Sequence, residues 1–388
     1  MTLNYCFKIH GFILLTTLSV VTGFVSPAFG EETHSYLIDL NDREVTLLGA
    51  LGGGYSIGNG INDAGQVVGY SYTAAGQPHA FITGPNGLGM TDLGTLGGNK
   101  SYASGINDAG QVVGYSYTAA GQQHAFITGP NGLGMKDLGT LGGLDASYAS
   151  GINNAGQVVG NSYTAAGPSH AFITGPNGVG MTDLGTLGGN KSYAYGINDA
   201  GQVAGYSYTA ADQPHAFITG PNGVGMKDLG TLTLGGLDGS YAYGINNSGQ
   251  VAGESFTVTT AAGQTEHAFI TGPNGVGMTD LGTLGGDYSF VSAASGINDA
   301  GQVVGNSYSA GNQVHAFITG PNGVGMTDLN SLAELSAIYR ISNAIDINNN
   351  GQILVVAGIP EPDAYALMLA GLGLIGFVAW RQKSGSSI

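Results

Sequence analysis

The chain has 388 residues, 71 of them glycine and 12 proline, with 42% hydrophobic and only 9% charged side chains. The glycines follow no strict three-residue period, which excludes collagen, and the low charge separates the chain from most disordered sequences and leaves enough apolar material for a buried core. A net charge of −16, from 25 acidic residues against 9 Lys and Arg, gives the wrong field for a phosphate backbone and argues against nucleic acid as a partner.

The first expected element is an export signal over residues 1–30. Lys8 precedes an apolar run from Phe12 to Phe24, and the small residues Ala28 and Gly30 stand before Glu31 and Glu32, which places a cut after Gly30. An uncleaved anchor helix fits less well, because the run is short and soon reaches Pro27. The one cysteine, Cys6, lies inside this segment, so neither disulfides nor thiolate chemistry enter the mature protein.

From residue 34 to 358 the chain repeats itself. His-Ala-Phe-Ile-Thr begins at His79, His124, His170, His215, His267 and His315, each followed by Gly-Pro-Asn-Gly, then Gly-Met and Asp-Leu. A degenerate copy, His34-Ser35-Tyr36, leads into Val45 to Gly53 and makes the units seven. Gly-Ile-Asn recurs at Gly60, Gly105, Gly151, Gly196, Gly244 and Gly296, and Asp346-Ile347-Asn348 completes that set. The step is 45 or 46 residues. It lengthens to 52 where the fifth unit gains Thr233-Leu234 and the region from Val258 to Thr265, and to 48 near Phe290 to Ser292; longer loops are expected there.

Each unit reads as four short strands. His-Ala-Phe-Ile-Thr alternates across a sheet, and Pro-Asn-Gly turns the chain, with Pro presetting its dihedral and Gly tolerating positive φ. Met-Thr-Asp-Leu-Gly-Thr-Leu is the next run, and Gly-Gly breaks it. Ser-Tyr-Ala-x-Gly-Ile-Asn follows as the third strand, Asn-Asp-Ala-Gly makes a tight turn, and Gln-Val-Val-Gly-Tyr-Ser-Tyr-Thr is the fourth. No segment of the repeat keeps a helical period. Four strands in about 45 residues match a propeller blade, and seven blades close a ring without long open edges. The expected fold is all-β, a seven-bladed β-propeller of four-stranded units packed face to face through Gly and Ala; a β-solenoid shares the period and is the alternative. Closure needs no strand from the other terminus unless the blade boundary falls within a unit. Because His-Ala-Phe, Gly-Ile-Asn-x-x-Gly-Gln-Val-Val-Gly and Asp-Leu-Gly-Thr-Leu-Gly-Gly recur in fixed order, the stretch from His34 to Gly358 resembles the bacterial extracellular HAF repeat family. That resemblance implies an extracellular location and carries over no activity.

Few residues in the repeats have the pattern of a chemical site. The repeated histidines would fall on a ring around a propeller axis, where imidazoles can bind metal, but positions that recur in every unit suit a scaffold, each His starting a strand and bonding a neighbouring blade. The Asn-Asp-Ala-Gly turns, such as Asn62 to Gly65 and Asn107 to Gly110, lack the further carboxylates of a calcium loop, and Asn154 and Asn247 replace Asp63 and Asp108 in two units, so a hairpin turn explains them. Glu254, Glu266 and Glu334 lie outside the repeated phrases; two such carboxylates at catalytic separation are what polysaccharide cleavage would need. No nucleophile-elbow phrase supports a hydrolase triad. Tyr102, Tyr148, Tyr193 and Tyr241 suit packing between sheets, with stacking on sugars the alternative. No catalytic residue, metal ligand or cofactor is assigned.

The last element runs over 359–388. Pro360-Glu361-Pro362 precedes an apolar stretch from Ala364 to Trp380, just long enough for a transmembrane helix, and Arg381 and Lys383 end it. The positive-inside rule puts that end in the cytoplasm and the repeats outside. Gly371, Gly373 and Gly376 spell a dinucleotide-binding pattern but follow no strand, so they lack its context. Pro360, Glu361 and Pro362, the Gly- and Leu-rich texture from Leu369 to Gly376, and the basic pair resemble the PEP-CTERM sorting tail, although Gln382 interrupts the basic end. The resemblance implies an exosortase-type partner that reads this tail and cuts it, a Gram-negative cell, and a surface or matrix location reached through an anchored state in the inner membrane; a plain membrane anchor is the alternative. It also carries the link to extracellular polysaccharide. The expected protein is thus an exported, surface-sorted structural or adhesive binding repeat protein and not an enzyme, with a polysaccharide-active propeller enzyme and a calcium-dependent adhesin as alternatives.

Overall fold

Gly97–Ile106, Val112–Thr118, Gln123–Thr128 and Met135–Asp137 pair antiparallel in that order, giving a four-stranded blade that runs from the axis outwards. The fold is a computed structural model that describes residues 32–232, 239–257, 265–286, 292–332 and 340–359. The expected signal over 1–30, the tail with Pro360, Glu361, Pro362, Arg381 and Lys383, Thr233-Leu234, most of the Val258 to Thr265 region, and Glu334 lie outside the described residues. No helix among the described residues is long and apolar enough to cross a membrane, and the expected helix from Ala364 to Trp380 falls outside them.

The blade pattern repeats around a ring. Innermost strands are Gly52–Ile61, Gly97–Ile106, Gly142–Ile152, Gly188–Ile197, Ser240–Ile245, Ser292–Ile297 and Arg340–Ile347, and the blades are numbered one to seven in that order. A single parallel bridge, Ala146 to Gln123, joins blades two and three. All four expected strands form, but two boundaries differ. The outer strand stops at its Asp, and the Gly-Gly expected to break the chain instead opens the innermost strand, as at Gly97.

The blade boundary does fall within the sequence unit. Arg340–Ile347 and Gln352–Ile359 from the end of the repeat region pair with Glu32–Asp39 and Val45–Leu47 from its start, in the sheet order outer, third, second, inner. Blade seven is therefore shared between the two ends of the chain, and the ring is clasped by the interlocked strand that an intact unit would not have required.

Hydrogen bonds confirm a closed circle and exclude an open stack. The Nδ2 of Asn62 donates to the carbonyl of Asn107, and the same bond runs from Asn107 to Asn153, Asn153 to Asn198, Asn198 to Asn246, Asn246 to Asn298, Asn298 to Asn348, and Asn348 back to Asn62, at 3.0–3.3 Å. A second circle lies beside it. Each residue that follows these asparagines donates its backbone N–H to the side chain of its counterpart in the next blade, from Asp63 round to Asn349, whose amide returns to Asp63 at 2.9 Å.

Between blades the packing is apolar and tight. Val68, Ala80 and Ile82 of blade one meet Ala103, Ile106, Val112 and Phe126 of blade two, all buried. Because each blade is covered on both sides, the Ala-Phe-Ile strand is apolar on both faces, and no solvent face is left to alternate. Gly114 shows why small residues recur: a Cβ there would lie 2.0 Å from the carbonyl oxygen of Tyr102, so the innermost pair of strands could not approach.

Candidate functional site

Strand direction places equivalent residues at equal depth along the axis. Asn59, Ser104, Ser150, Tyr195, Tyr243, Ser295 and Ile345 line the channel toward one end, the isoleucines of Gly-Ile-Asn follow, and the Asn and Asp circles lie at the other end. One step outward from the first end, the cross-strand pairs are Ile57 with Tyr70, Tyr102 with Tyr115, Tyr148 with Asn161, Tyr193 with Tyr206, Tyr241 with Glu254, and Ala293 with Asn306. These positions vary among otherwise near-identical repeats, and the fold gathers them at one mouth.

The tyrosines join blade to blade there. Tyr70 meets Tyr102 edge-on at 5.0 Å, Tyr102 stacks on Tyr115 at 4.9 Å, and Tyr115 meets Tyr148 at 5.1 Å. Tyr193 stacks on Tyr206 and Tyr206 meets Tyr241 in the same way. Burial, with the neighbouring phenols, pushes Tyr115 up to about 12, and burial pushes Tyr241 up to about 12, so both stay neutral and offer ring faces and hydroxyls.

The belt lacks a ring at Asn161 of blade three and breaks again between blades five and six. Ala293 stands where the preceding blades carry Tyr148, Tyr193 and Tyr241, and the missing ring leaves a cavity of about 230 Å³ walled by Glu254, Glu266, Ser292, Asn306, Ser307 and Tyr308. Glu254 also borders the wider mouth with Tyr195, Tyr243 and Ser295. Glu254 pairs with Ala268 and Phe256 with Glu266, so the two carboxylates are diagonal neighbours on one sheet face. The Tyr243 hydroxyl donates to Glu254 at 2.6 Å. Burial raises the Glu254 carboxyl against the pull of that bond, and burial together with Glu254 pushes Glu266 up to about 7. The two glutamates of the lengthened fifth unit, whose separation the sequence alone could not give, are thus one site.

The histidines lie on the third strands, away from the channel lining, and they bond within their own blade, not to a neighbouring one. Each Nδ1 pairs with the Asp 13 residues on, from His79 with Asp92 at 2.8 Å to His315 with Asp328 at 2.7 Å. In blade one, Asp92 also accepts the backbone N–H of Gly94 at 2.7 Å, so the pair clips the third strand to the outer strand and its turn. At Asp280, burial opposes ionisation, but His267 and the Gly282 amide outweigh it and hold the carboxyl below its usual range. The spacing from His to Asp was visible in six of the seven units, the degenerate first one excepted, and is the signal for this clip. The Asn-Asp-Ala-Gly segments are hairpin turns, and Asn154 donates to both Asp108 and Asp199, so amides alternate with carboxylates round most of the circle.

Asp346 interrupts the Gly-Ile-Asn pattern inside the channel. It accepts the backbone N–H of Ile61 at 3.2 Å across the clasp and that of Ile347 at 2.9 Å. Burial pushes its carboxyl up to about 6, against those two bonds. A raised folded-state value means that the protonated form is favoured by folding, so stability is fully present below the ordinary carboxylate range and falls as pH rises through about 6. Channel water screens part of the charge, and Asp346→Asn forfeits one of the accepted bonds, so the variant is expected to gain about 1–2 kcal/mol at pH 7.5. The gain should vanish by about pH 4. Thermal melts of both proteins across this range check it; a variant less stable at both ends would mean that the charge is compensated.

Residues 358–384, which contain Pro360, Glu361, Pro362, Arg381 and Lys383, match the PEP-CTERM protein-sorting motif. The motif is a recognition signal for exosortase processing, and it marks an exported, surface-sorted protein of a Gram-negative cell. No curated protein matches the chain. Among solved structures, TolB from Acinetobacter baumannii is 11% identical over 76% of this chain and 64% of its own, with a TM-score of 0.46. Oligogalacturonate lyase in complex with manganese is 10% identical over 85% of this chain and 92% of its own, with a TM-score of 0.49. Likenesses this remote say nothing about activity.

Proposed function

We propose that this is a surface-sorted binding protein of the HAF repeat type, which holds extracellular polysaccharide at the tyrosine-lined mouth of a seven-bladed propeller. One observation carries the reading: near-identical repeats diverge at the mouth, where Tyr195, Tyr243, Glu254 and Ala293 meet, as a recognition surface on a uniform scaffold should. Neutral tyrosine rings suit the apolar faces of sugars, and their hydroxyls suit the sugar hydroxyls. The tail supplies the location, with the inner membrane as a way station before cleavage near Pro360.

The test is one comparison of wild type, Pro360→Ala with Pro362→Ala, and Tyr195→Ala with Tyr243→Ala, in a Gram-negative host with and without an exosortase. The wild type should be trimmed and reach the surface only with the enzyme, and should retain matrix polysaccharide there. The proline variant should keep its tail, and the tyrosine variant should be sorted normally but lose roughly tenfold or more of its polysaccharide, the effect of two stacked rings at about 1 kcal/mol each. Equal retention by the tyrosine variant removes the mouth from the reading, and a tail kept in every strain leaves a plain anchor.

A second reading, a polysaccharide-active enzyme, draws support from Glu254 and Glu266 lying side by side with raised carboxyls, since a protonated and an ionised carboxyl together supply acid and base. New reducing ends released by the wild type but not by Glu254→Gln distinguish it from binding alone.

A further inference from the structure

We infer that the cavity between blades five and six receives a positively charged amino group of a polysaccharide, as carried by a partly deacetylated amino sugar. This rests on the polysaccharide-binding reading and names its ligand class. The cavity exists because Ala293 replaces a tyrosine, and its volume of about 230 Å³ exceeds what a single water needs, about 30 Å³, so it has room for a sugar substituent. Both carboxylates on its wall break the repeat. Glu254 takes the place of Tyr206 and Asn306, and Glu266 the place of Pro214 and Val314.

Two diagonal carboxylates partly withdrawn from water repel each other, and no described residue supplies a positive charge to offset this. Among the described residues neither glutamate has a cationic partner, and the adjoining segments 258–264 and 287–291 contain no Lys or Arg. Tyr243 fixes Glu254 through its hydroxyl, and Tyr308 adds an aromatic wall, the company in which an ammonium group gains both ion pairing and cation–π attraction. An acetylated nitrogen has no charge to give and is bulkier, so the site should discriminate against it.

The experiment titrates the mature protein, at pH 7 and physiological salt, with labelled hexaglucosamine and with its fully N-acetylated counterpart. Hexaglucosamine should bind at least tenfold more tightly. Glu254→Gln with Glu266→Gln should abolish that preference while melting no lower than the wild type, since it removes a repulsion. A control, Asp63→Asn with Asp108→Asn, deletes at least as much negative charge at the other end of the channel and should keep the preference. If both paired variants lose it equally, net charge is the cause and the inference is overturned. Equal binding of the two oligomers, with dependence on Tyr243, overturns the cationic ligand and leaves the polysaccharide reading standing. Failure of both oligomers while matrix polysaccharide is still retained does the same, and failure of every polysaccharide removes the underlying reading.

Discussion

A chain that begins at Gly49, lacking the strands Glu32–Asp39 and Val45–Leu47, is expected to lose its cooperative fold. These strands complete blade seven, and their side chains enter two interfaces at once. Tyr36 and Ile38 pack with Ile341, Ile353 and Val355 toward blade six, while Leu37 and Leu48 pack with Ile61, Val67, Phe81 and Leu354 toward blade one. All four are at most 4% exposed. At about 1.5–3 kcal/mol for each buried side chain, their loss is on the order of 6–12 kcal/mol, comparable to the whole stability of a domain. The cut also leaves the second strand of blade seven as an open edge, a template for aggregation. Far-UV circular dichroism during a melt, with dye binding to exposed apolar surface, reads the outcome. Restoration of the transition by a peptide of residues 31–48 would identify the clasp as the cause, whereas a truncated chain melting within a few degrees of the full one would mean that the ring stands without it.

Asn153→Ala should cost about 2–4 kcal/mol, far more than the removal of a solvent-facing amide, because it strips a buried hub. Asn153 is 2% exposed. Its Oδ1 accepts the Gln157 N–H at 2.9 Å, and its Nδ2 donates to the Gln157 side chain at 2.8 Å and to the Asn198 carbonyl of the next blade at 3.0 Å. Alanine strips the Gln157 amide and side-chain oxygen of these partners, leaves the Asn198 carbonyl only the Gly201 N–H at 2.9 Å, and opens one link of the circle. The exposed neighbour gives the contrast. Asn154→Asp sets a third carboxylate between Asp108 and Asp199, whose oxygens now accept its Nδ2. Being exposed and screened, that change should cost no more than about 1 kcal/mol, and less in high salt. Urea unfolding of both variants at two salt concentrations makes the comparison; an Asn153 variant as stable as the wild type would mean that the axial bonds are redundant.

Much of this protein is determined by local sequence. Period, strand content and turn positions follow from alternating side chains and from Gly, Pro and Asn at fixed places, because these preferences act over a few residues. The Pro-Asn-Gly turn was legible, although Asn86 as well as Gly87 takes positive φ, at 57° and 71°. The sorting motif was equally legible, since it is a linear phrase. Only the tertiary structure decided the rest. Whether His79 meets a neighbouring blade or Asp92 depends on strand pairing, and that His-Asp spacing gains its meaning only once the third and outer strands lie side by side. The composite seventh blade could not be read from the repeat, because a circular pattern has no natural starting point and closure alone fixes where the ends meet. The meeting of Glu254, Glu266 and Ala293 likewise depends on adjacent blades packing face to face, which brings together residues that are remote along the chain and individually unremarked by any motif.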